Sequence, residues 1–501
     1  MESGLQGSVE GLPGFYVGST WPSFSTGLNP ARHGFYRIEQ LRPGTYEFFR
    51  PLDDSAGVGG VPFWKAASDA GRRVAVLDVP LTRMEEKLNG LQVVEWGGHD
   101  SVFGFHASSP RLLKEVLSIA GEYPLPSDCD AQRTSAQDFE RFLDALERAI
   151  ESKAKLTRAL LAREPWDLFV QVFTESHCVG HQCWHIHDPS HPAHDPELLR
   201  ALGDPLERIY RAIDRAIDRI LQGAGDGHVL VIAAHGMSSY RGAQFLLPET
   251  LYRLGAAVPP AAVPPAPLPP RLAAHSGSPA APRQMARALW RTLPPAAREA
   301  LRPFRDRIEP GEPAGRGSPL RADLDRSPCF PIPNGMPVGG IRLNLIGREP
   351  RGLLRPGAEA DQFCERLRRE LLSIVDLRTG RPLVASVERT KDLYAGDRVD
   401  ALPDLLVEWS ATPTGSMAHA GGRGATVRAS SPRIGEIEGS NLYVRTGEHL
   451  PTGMFLWTGP GVPARECEGV SVMDFHPTLC RLLGARASAV DGQIIPELER
   501  C

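Results

Sequence analysis

In this chain of 501 residues the acidic and basic side chains nearly cancel, leaving a net charge of −4 and no global field for nucleic acid or an anionic membrane. The apolar content is ordinary for a soluble globular protein, and a chain this long buries a sizeable core. No apolar run reaches transmembrane length, and residues 1–13 are Gly-rich and polar, without the basic-then-apolar pattern of a signal peptide. Cytoplasmic residence is therefore the default expectation. The cysteines, at 129, 178, 183, 329, 364, 467, 480 and 501, form no CxxC pair and read as mostly free thiols. Cys178 and Cys183 flank His181 and could approach a metal, but the preferred reading is small packing residues.

In chain order, 72–78 predicts a strand and 136–163 a long amphipathic helix. A buried strand beginning at Trp166 ends at Glu175, His177 and His181, and a helix is expected over 196–221, with Pro in its first turn. Residues 228–234 form a short apolar run suited to a parallel sheet covered on both faces. Strands alternating with helices of this length imply βαβ units. The pattern breaks over about 255–320, rich in Pro, Ala, Arg and Ser, with one helix expected near 284–293. Order returns at 340–348, then a helix over 358–374, strands over 383–388, 404–409 and 454–458, and a last helix near 472–483.

Four strand tips carry candidate chemistry. In open α/β sheets ligands gather past the carboxyl ends of parallel strands. Glu175, His177 and His181 at one such tip make half of a transition-metal site. Ser19 and Thr20 lie before Pro22, where a helix start can hold an anion or simply be capped by a hydroxyl. His235 follows the apolar run and precedes Gly236. His449 stands just before a strand and the turn Gly459-Pro-Gly461.

Together these segments resemble the alkaline phosphatase superfamily, and within it the type I phosphodiesterase/nucleotide pyrophosphatase family and its bacterial phosphohydrolase relatives. Thr26-Gly-Leu-Asn-Pro-Ala-Arg-His-Gly34 resembles the signature after the family's nucleophile. Glu175-Ser-His-Cys-Val-Gly-His181 resembles its E-P-D-x-x-G-H metal motif, and Ala233-Ala-His-Gly236 its S-D-H-G motif. Gly447-Glu-His449 resembles its last metal histidine, and the stretch from Asp474 to Gly484 its closing helix. The resemblance implies an α/β fold with a mostly parallel central sheet flanked by helices on both faces. It divides the chain into core at 1–250, a Pro/Ala-rich excursion or linker at 251–335, and the remaining core at 336–501.

The family opens with a strand ending in a metal-binding aspartate. No such strand is apparent before Gly14, so the first strand is expected to be missing, with Met1 an internal start. The family's Asp in the E-P-D motif falls on His177, and that of S-D-H-G on Ala234. The resemblance then implies one well-bound divalent metal, zinc or else manganese, on His177, His181 and His449, with Glu175 beside them. The second position keeps only His235 and a hydroxyl. Thr20 is the expected nucleophile, with Ser19 in reserve. A gapless alignment on Trp21 puts Val17 there instead, and water would then have to attack directly. Arg32, His185 and His187 are candidate substrate contacts, and His33, His191 and His194 neighbour them. His99 and Asp100 are a candidate orienting pair.

These features point to a metal-dependent hydrolase of small anionic phosphate esters, in particular diesters, with no nucleic-acid polymer or membrane partner indicated and the oligomeric state open. The competing expectation is a catalytically degenerate relative that keeps the fold as a binding or scaffold module, motivated by Ala234 and the missing aspartate. Sulfatase chemistry is disfavoured because no C/S-x-P-x-R setting occurs. Phosphomutase chemistry on the same fold stays open.

Overall fold

The computed structural model describes residues 4–53, 57–98, 102–125, 131–260, 320–419 and 422–499. The main elements begin with strand β1 (Leu5–Glu10), helices α1 (Thr20–Thr26) and α2 (Pro30–His33), and strands β2 (Val74–Leu77), β3 (Gly90–Val94) and β4 (His106–Ala107). Helix α3 (Ala136–Leu161), strand β5 (Leu168–Gln171) and helices α4 (Glu175–His187), α5 (Pro196–Leu202) and α6 (Pro205–Leu221) follow. Next come β6 (Val229–Ala233) and β7 (Gly236–Ser239). The later part holds β8 (Cys329–Ile332), β9 (Val338–Leu343), α7 (Ala358–Leu372), β10 (Val384–Arg389) and β11 (Leu405–Trp409). It ends with β12 (Thr426–Ser431), β13 (Gly435–Ser440), β14 (Gly447–Leu450), β15 (Thr452–Thr458), β16 (Arg465–Ser471) and α8 (Phe475–Leu482).

The α/β class holds, but the expected mostly parallel sheet does not. The strands form several short, mixed sheets. One runs β16-β1-β15-β6, in which only β1 and β16 are parallel. A second runs β4-β3-β2-β5, with β2 parallel to both β3 and β5. The third, β8-β9-β11-β10, is antiparallel throughout. Connection length accounts for part of the difference. The short turn between β8 and β9 can only fold back, whereas β2 and β5 are joined by a long crossover that carries α3. Strand β6 is not covered on both faces as expected. Among the described residues it sits at a sheet edge, paired with β15 alone, and Val231 remains 37% exposed.

The expected loss of the first strand is also corrected. Residues 5–10 form β1, hydrogen-bonded on both sides, with Leu5 and Val9 buried on one face. Its apolar signal is weak because Gly7 lies between them. A Cβ there would stand 2.4 Å from the Cys467 carbonyl oxygen, so the strand packs by backbone rather than by side chain. The single helix expected over 196–221 is two. Gly203 ends α5, and Asp204 caps α6 by accepting from the backbone of Leu206 and Glu207, with Pro205 in the first turn. The helix expected at 284–293, the pair His99 and Asp100, and Cys129 and Cys501 lie outside the described residues. Strand β8 lies inside the span assigned to the excursion.

The Thr26–Gly34 motif folds into a clasp. Gly27, at φ +69, ends α1 in the left-handed conformation, Asn29 caps α2 by accepting from the Ala31 N–H, and Gly34, at φ +75, ends it. The His33 Nδ1 accepts from the Phe35 N–H, so its Nε2–H donates to the Ser23 hydroxyl at 2.9 Å and ties the two helices together. Burial pushes the His33 pKa down to about 3. No described helix is long and apolar enough to cross a membrane.

Val9 is fully buried in the core that β1 shares with Phe455, Trp457 and Phe475. Val9→Ala is expected to destabilise the fold by about 2 kcal/mol in urea unfolding, with Ser8→Ala close to neutral. Equal midpoints for both variants would place residues 5–10 outside the sheet.

Candidate metal centre

Helix α4 begins directly beyond β5 and carries His177 and His181 one turn apart, so both imidazoles project from one face. Strand β14 pairs antiparallel with β7, with His449 opposite Met237. Because strand side chains alternate, His235 falls on the same face, diagonal to His449. Helix α4 lies against β14 at a pair of glycines. A Cβ on Gly447 would stand 2.1 Å from the Gly180 carbonyl oxygen, and one on Gly180 would stand 2.7 Å from the Met237 side chain.

This close approach brings one ligand nitrogen each of His177, His181 and His449 within 4.8 Å of one another. Two nitrogens bound to one tetrahedral zinc at about 2.1 Å stand roughly 3.4 Å apart, so small rotations of the rings suffice. The His181 Nδ1–H donates to the Gly447 carbonyl at 2.7 Å. That bond fixes the tautomer and leaves the Nε2 lone pair facing the cluster, the usual orienting device for a metal-binding imidazole. His177 Nε2 lies 3.1 Å from His181 Nε2. His235 Nδ1 lies 3.0 Å from His449 Nδ1, so the two rings share one proton, and burial holds the His235 pKa down to about 4. The donor set fits a borderline dication such as zinc.

The other candidates are held elsewhere. Glu175 is fully buried and ion-paired with the equally buried Lys153 at 3.1 Å, and it accepts from the Tyr123 hydroxyl at 2.9 Å. Its neutralising partner is therefore an ammonium, and it lies outside the three-imidazole group. Ala234 packs into the apolar core. Ser19 donates to the Phe35 carbonyl and Thr20 to that of Tyr16, and the two residues are 0% and 1% exposed. Arg32 pairs with Asp491 at 3.0 Å and donates to the Ala489 carbonyl. His185 lies on the same stripe of α4 as His177 and His181. It is turned to the Thr446 hydroxyl and stacked on His419, and burial pushes its pKa down to about 2. His187 contacts Asp204 at 2.7 Å. His191 is buried and accepts from the Ala193 N–H, and His194 donates to the His185 carbonyl. Cys178 and Cys183 pack on the opposite side of α4, among Val179, Ile186, Leu143 and Leu146.

Three residues escaped the sequence. Lys153 is a lone cation on the apolar stripe of α3, between Ile150 and Ala154, which was a usable signal. Arg445 stands four residues before His449 and places Nη1 3.3 Å from His181 Nε2. Glu448, fully buried, accepts from the His449 N–H. Neither residue stands out in a single sequence.

An α/β scaffold thus gathers imidazoles from distant segments into a group that could hold a metal ion. Residues 18–255 match the model of the type I phosphodiesterase/nucleotide pyrophosphatase family, in keeping with the motifs in that span. The family is one of phosphoric ester hydrolases. Among solved structures, the chain is similar to murine ectonucleotide pyrophosphatase/phosphodiesterase 5, at 13% identity and TM-score 0.41, covering 98% of this chain and 90% of that one. The human counterpart gives the same values. Phosphonoacetate hydrolase from Sinorhizobium meliloti, in complex with phosphonoformate, shares 14% identity with TM-score 0.43, covering 96% and 86%. No curated protein matches the chain.

Two predictions follow from the packing. Gly447→Ala forces α4 away from β14. It is expected to cost about 1–3 kcal/mol and to abolish dication binding in equilibrium dialysis, while Gly225→Ala, with open space around it, changes neither. Lys153→Met leaves the Glu175 carboxylate buried beside Asp78, whose own pKa burial already raises to about 6. It is expected to cost about 3–5 kcal/mol, and adding Glu175→Gln should recover part of that in the same unfolding assay.

Proposed function

We propose that the chain is a metal-dependent hydrolase of phosphate diesters, with a dication, zinc in preference to manganese, held by His177, His181 and His449. The observation that carries this reading is the convergence of those three imidazoles within 4.8 Å, with the His181 tautomer set by the Gly447 carbonyl. When bound, such an ion supplies Lewis-acid polarisation of a phosphoryl oxygen and activation of water near neutral pH. His235 holds a proton against His449 and orients that ring. Three neutral ligands leave the site strongly positive, which favours an anionic substrate.

We further infer that water, rather than a side-chain hydroxyl, attacks phosphorus. Thr20 and Ser19 are shut away from solvent with their protons committed to backbone carbonyls. Val17, at the position that a gapless alignment on Trp21 assigns to the nucleophile, has no hydroxyl. A reducing, intracellular setting is in keeping with the absence of any disulfide among the described cysteines. The second reading, a degenerate binding or scaffold module, is favoured by Ala234, an apolar residue where the family motif carries an aspartate.

The assay is hydrolysis of bis-p-nitrophenyl phosphate and p-nitrophenyl phosphate with added Zn²⁺ or Mn²⁺, together with elemental analysis. One metal ion per chain and diester turnover are expected. His181→Ala should lower kcat/KM by roughly a thousandfold or more, and Thr20→Ala should leave it within about threefold. A phosphorylated Thr20 or Ser19 in acid-quenched protein would reject attack by water. Absence of both stoichiometric metal and turnover would favour the binding-module reading.

A further inference from the structure

Helix α4 is tied to the chain entering β14 by a side-chain hydroxyl as well as by the glycine contact. Thr446 stands directly before β14. Its N–H donates to the His181 carbonyl at 2.7 Å, and its own carbonyl accepts from the Tyr240 N–H, just past β7, at 2.7 Å. In a regular helix the His181 carbonyl accepts from the N–H four residues on, that of His185. The Thr446 hydroxyl lies beside that bond: it donates to the His181 carbonyl at 3.3 Å and accepts from the His185 N–H at 3.4 Å. With the hydroxyl proton so committed, the His185 Nδ1, 3.2 Å away, carries its ring's proton and donates to the same oxygen. The His185 ring is walled in, stacked on His419 at 5.2 Å and flanked by Phe139 at 5.6 Å. His419 in turn donates to the Val444 carbonyl at 3.0 Å, which Gln182 of α4 also reaches at 3.1 Å. Thr446, His185 and His419 are all buried.

The direction of the His181 carbonyl sets the turn of α4 about its own axis at that residue, and His177, one helical turn earlier, follows it. A metal site holds only while its ligand distances stay within about 0.2 Å of their proper values. Left to itself, the His181 carbonyl would point along the helix to His185. The hydroxyl draws it toward β14, and the His185 ring keeps the hydroxyl from rotating away. We propose that Thr446 and His185 are the positioning pair of the metal centre: the hydroxyl, held by the His185 ring, fixes the His181 carbonyl and with it the direction in which His177 and His181 face His449. This inference rests on the metal-site reading above, and it gives His185 a role other than substrate contact.

Titration with Co²⁺ followed by visible absorption reads both affinity and ligand geometry, and urea unfolding of the metal-free proteins reads stability apart from them. Thr446→Val keeps the shape and removes the hydroxyl, and it is expected to bind Co²⁺ about tenfold to a hundredfold more weakly, with an altered absorption spectrum. His185→Phe should do the same, and the double variant should bind no more weakly than either single one, because the two groups act through one bond. Thr446→Ser restores the hydroxyl and His185→Asn a side-chain N–H, so each should bind Co²⁺ within about threefold of wild type. If Thr446→Val and His185→Phe lower the urea midpoint but keep the wild-type Co²⁺ affinity and spectrum, the pair only stabilises the fold and the proposal is overturned, while the metal site stands. Where either of those variants fails to fold, Thr446→Ser and His185→Asn decide: wild-type affinity in both supports the pair, and weakened binding overturns it. If wild type binds no Co²⁺, the metal site falls and takes the pair with it.

Discussion

The site depends on a helix lying on a strand with no side chain between them. Gly180 on α4 and Gly447 on β14 approach so closely that a single added methyl group at Gly447 would overlap a carbonyl oxygen. The approach lets the His181 ring reach the Gly447 carbonyl and lets the Thr446 N–H reach the His181 carbonyl. Two residues of α4 are thereby held in register with one residue of β14. His177, separated from His181 by one helical turn, follows automatically. Packing of backbone against backbone thus does the positioning that a longer contact between side chains could do only with more play.

That geometry also explains why the carboxylate in the metal motif is not available. Helix α4 enters the core at Glu175, whose charge is buried with that of Lys153. The Lys153 ammonium also donates to the carbonyls of Gly97 and Val172. Desolvating two such groups is costly unless each finds partners, and here each does, so the pair is bound to its place. Its role is to fix the first turn of α4 relative to α3 and to the strand that precedes it. The glycine contact fixes the second and third turns. The imidazoles project from a helix pinned at both points.

Much of this was legible in the sequence, for identifiable reasons. The helices read correctly wherever apolar periodicity ran without interruption, as in α3 and α7. The Thr26–Gly34 clasp could be read because a left-handed glycine, a capping Asn, a Pro in the first turn and a buried His each have a residue-type signature. His177, His181 and His449, which the fold brings together, stood out in the sequence because each lies beside a strand-like apolar run. Strand β1 was missed because its inward face alternates Leu, Gly and Val, and Gly7 contributes backbone packing that no hydropathy pattern records. Sheet polarity was missed because strand composition does not record it: β1 and β6 both pair antiparallel with β15 although both lie far from it in the chain. Arg32 and Arg445 show the limit most clearly. Both are arginines beside a recognisable motif, yet the tertiary fold turns one to Asp491 and the other to His181.

The ligand set has an energetic consequence for the whole fold. His177 and His181 belong to the helix that follows β5, in the second sheet. His235 follows β6, in the first sheet, and His449 lies on β14, which precedes β15 of that same sheet. Strands β5 and β6 are not hydrogen-bonded to each other; the segments beyond them meet at the imidazoles and where α4 packs on β14 and β7, while apolar side chains of both sheets share one core. An ion bound by three of these residues would tie the two sheets together at a place where the hydrogen-bond ladder does not. Since the unfolded chain offers no such gathering of ligands, the binding free energy adds to the stability of the junction and grows with the free metal concentration. With an imidazole at 177 where the family motif carries a carboxylate, a bound ion would couple this junction to ligands that must be neutral to bind, and so to pH as well as to metal.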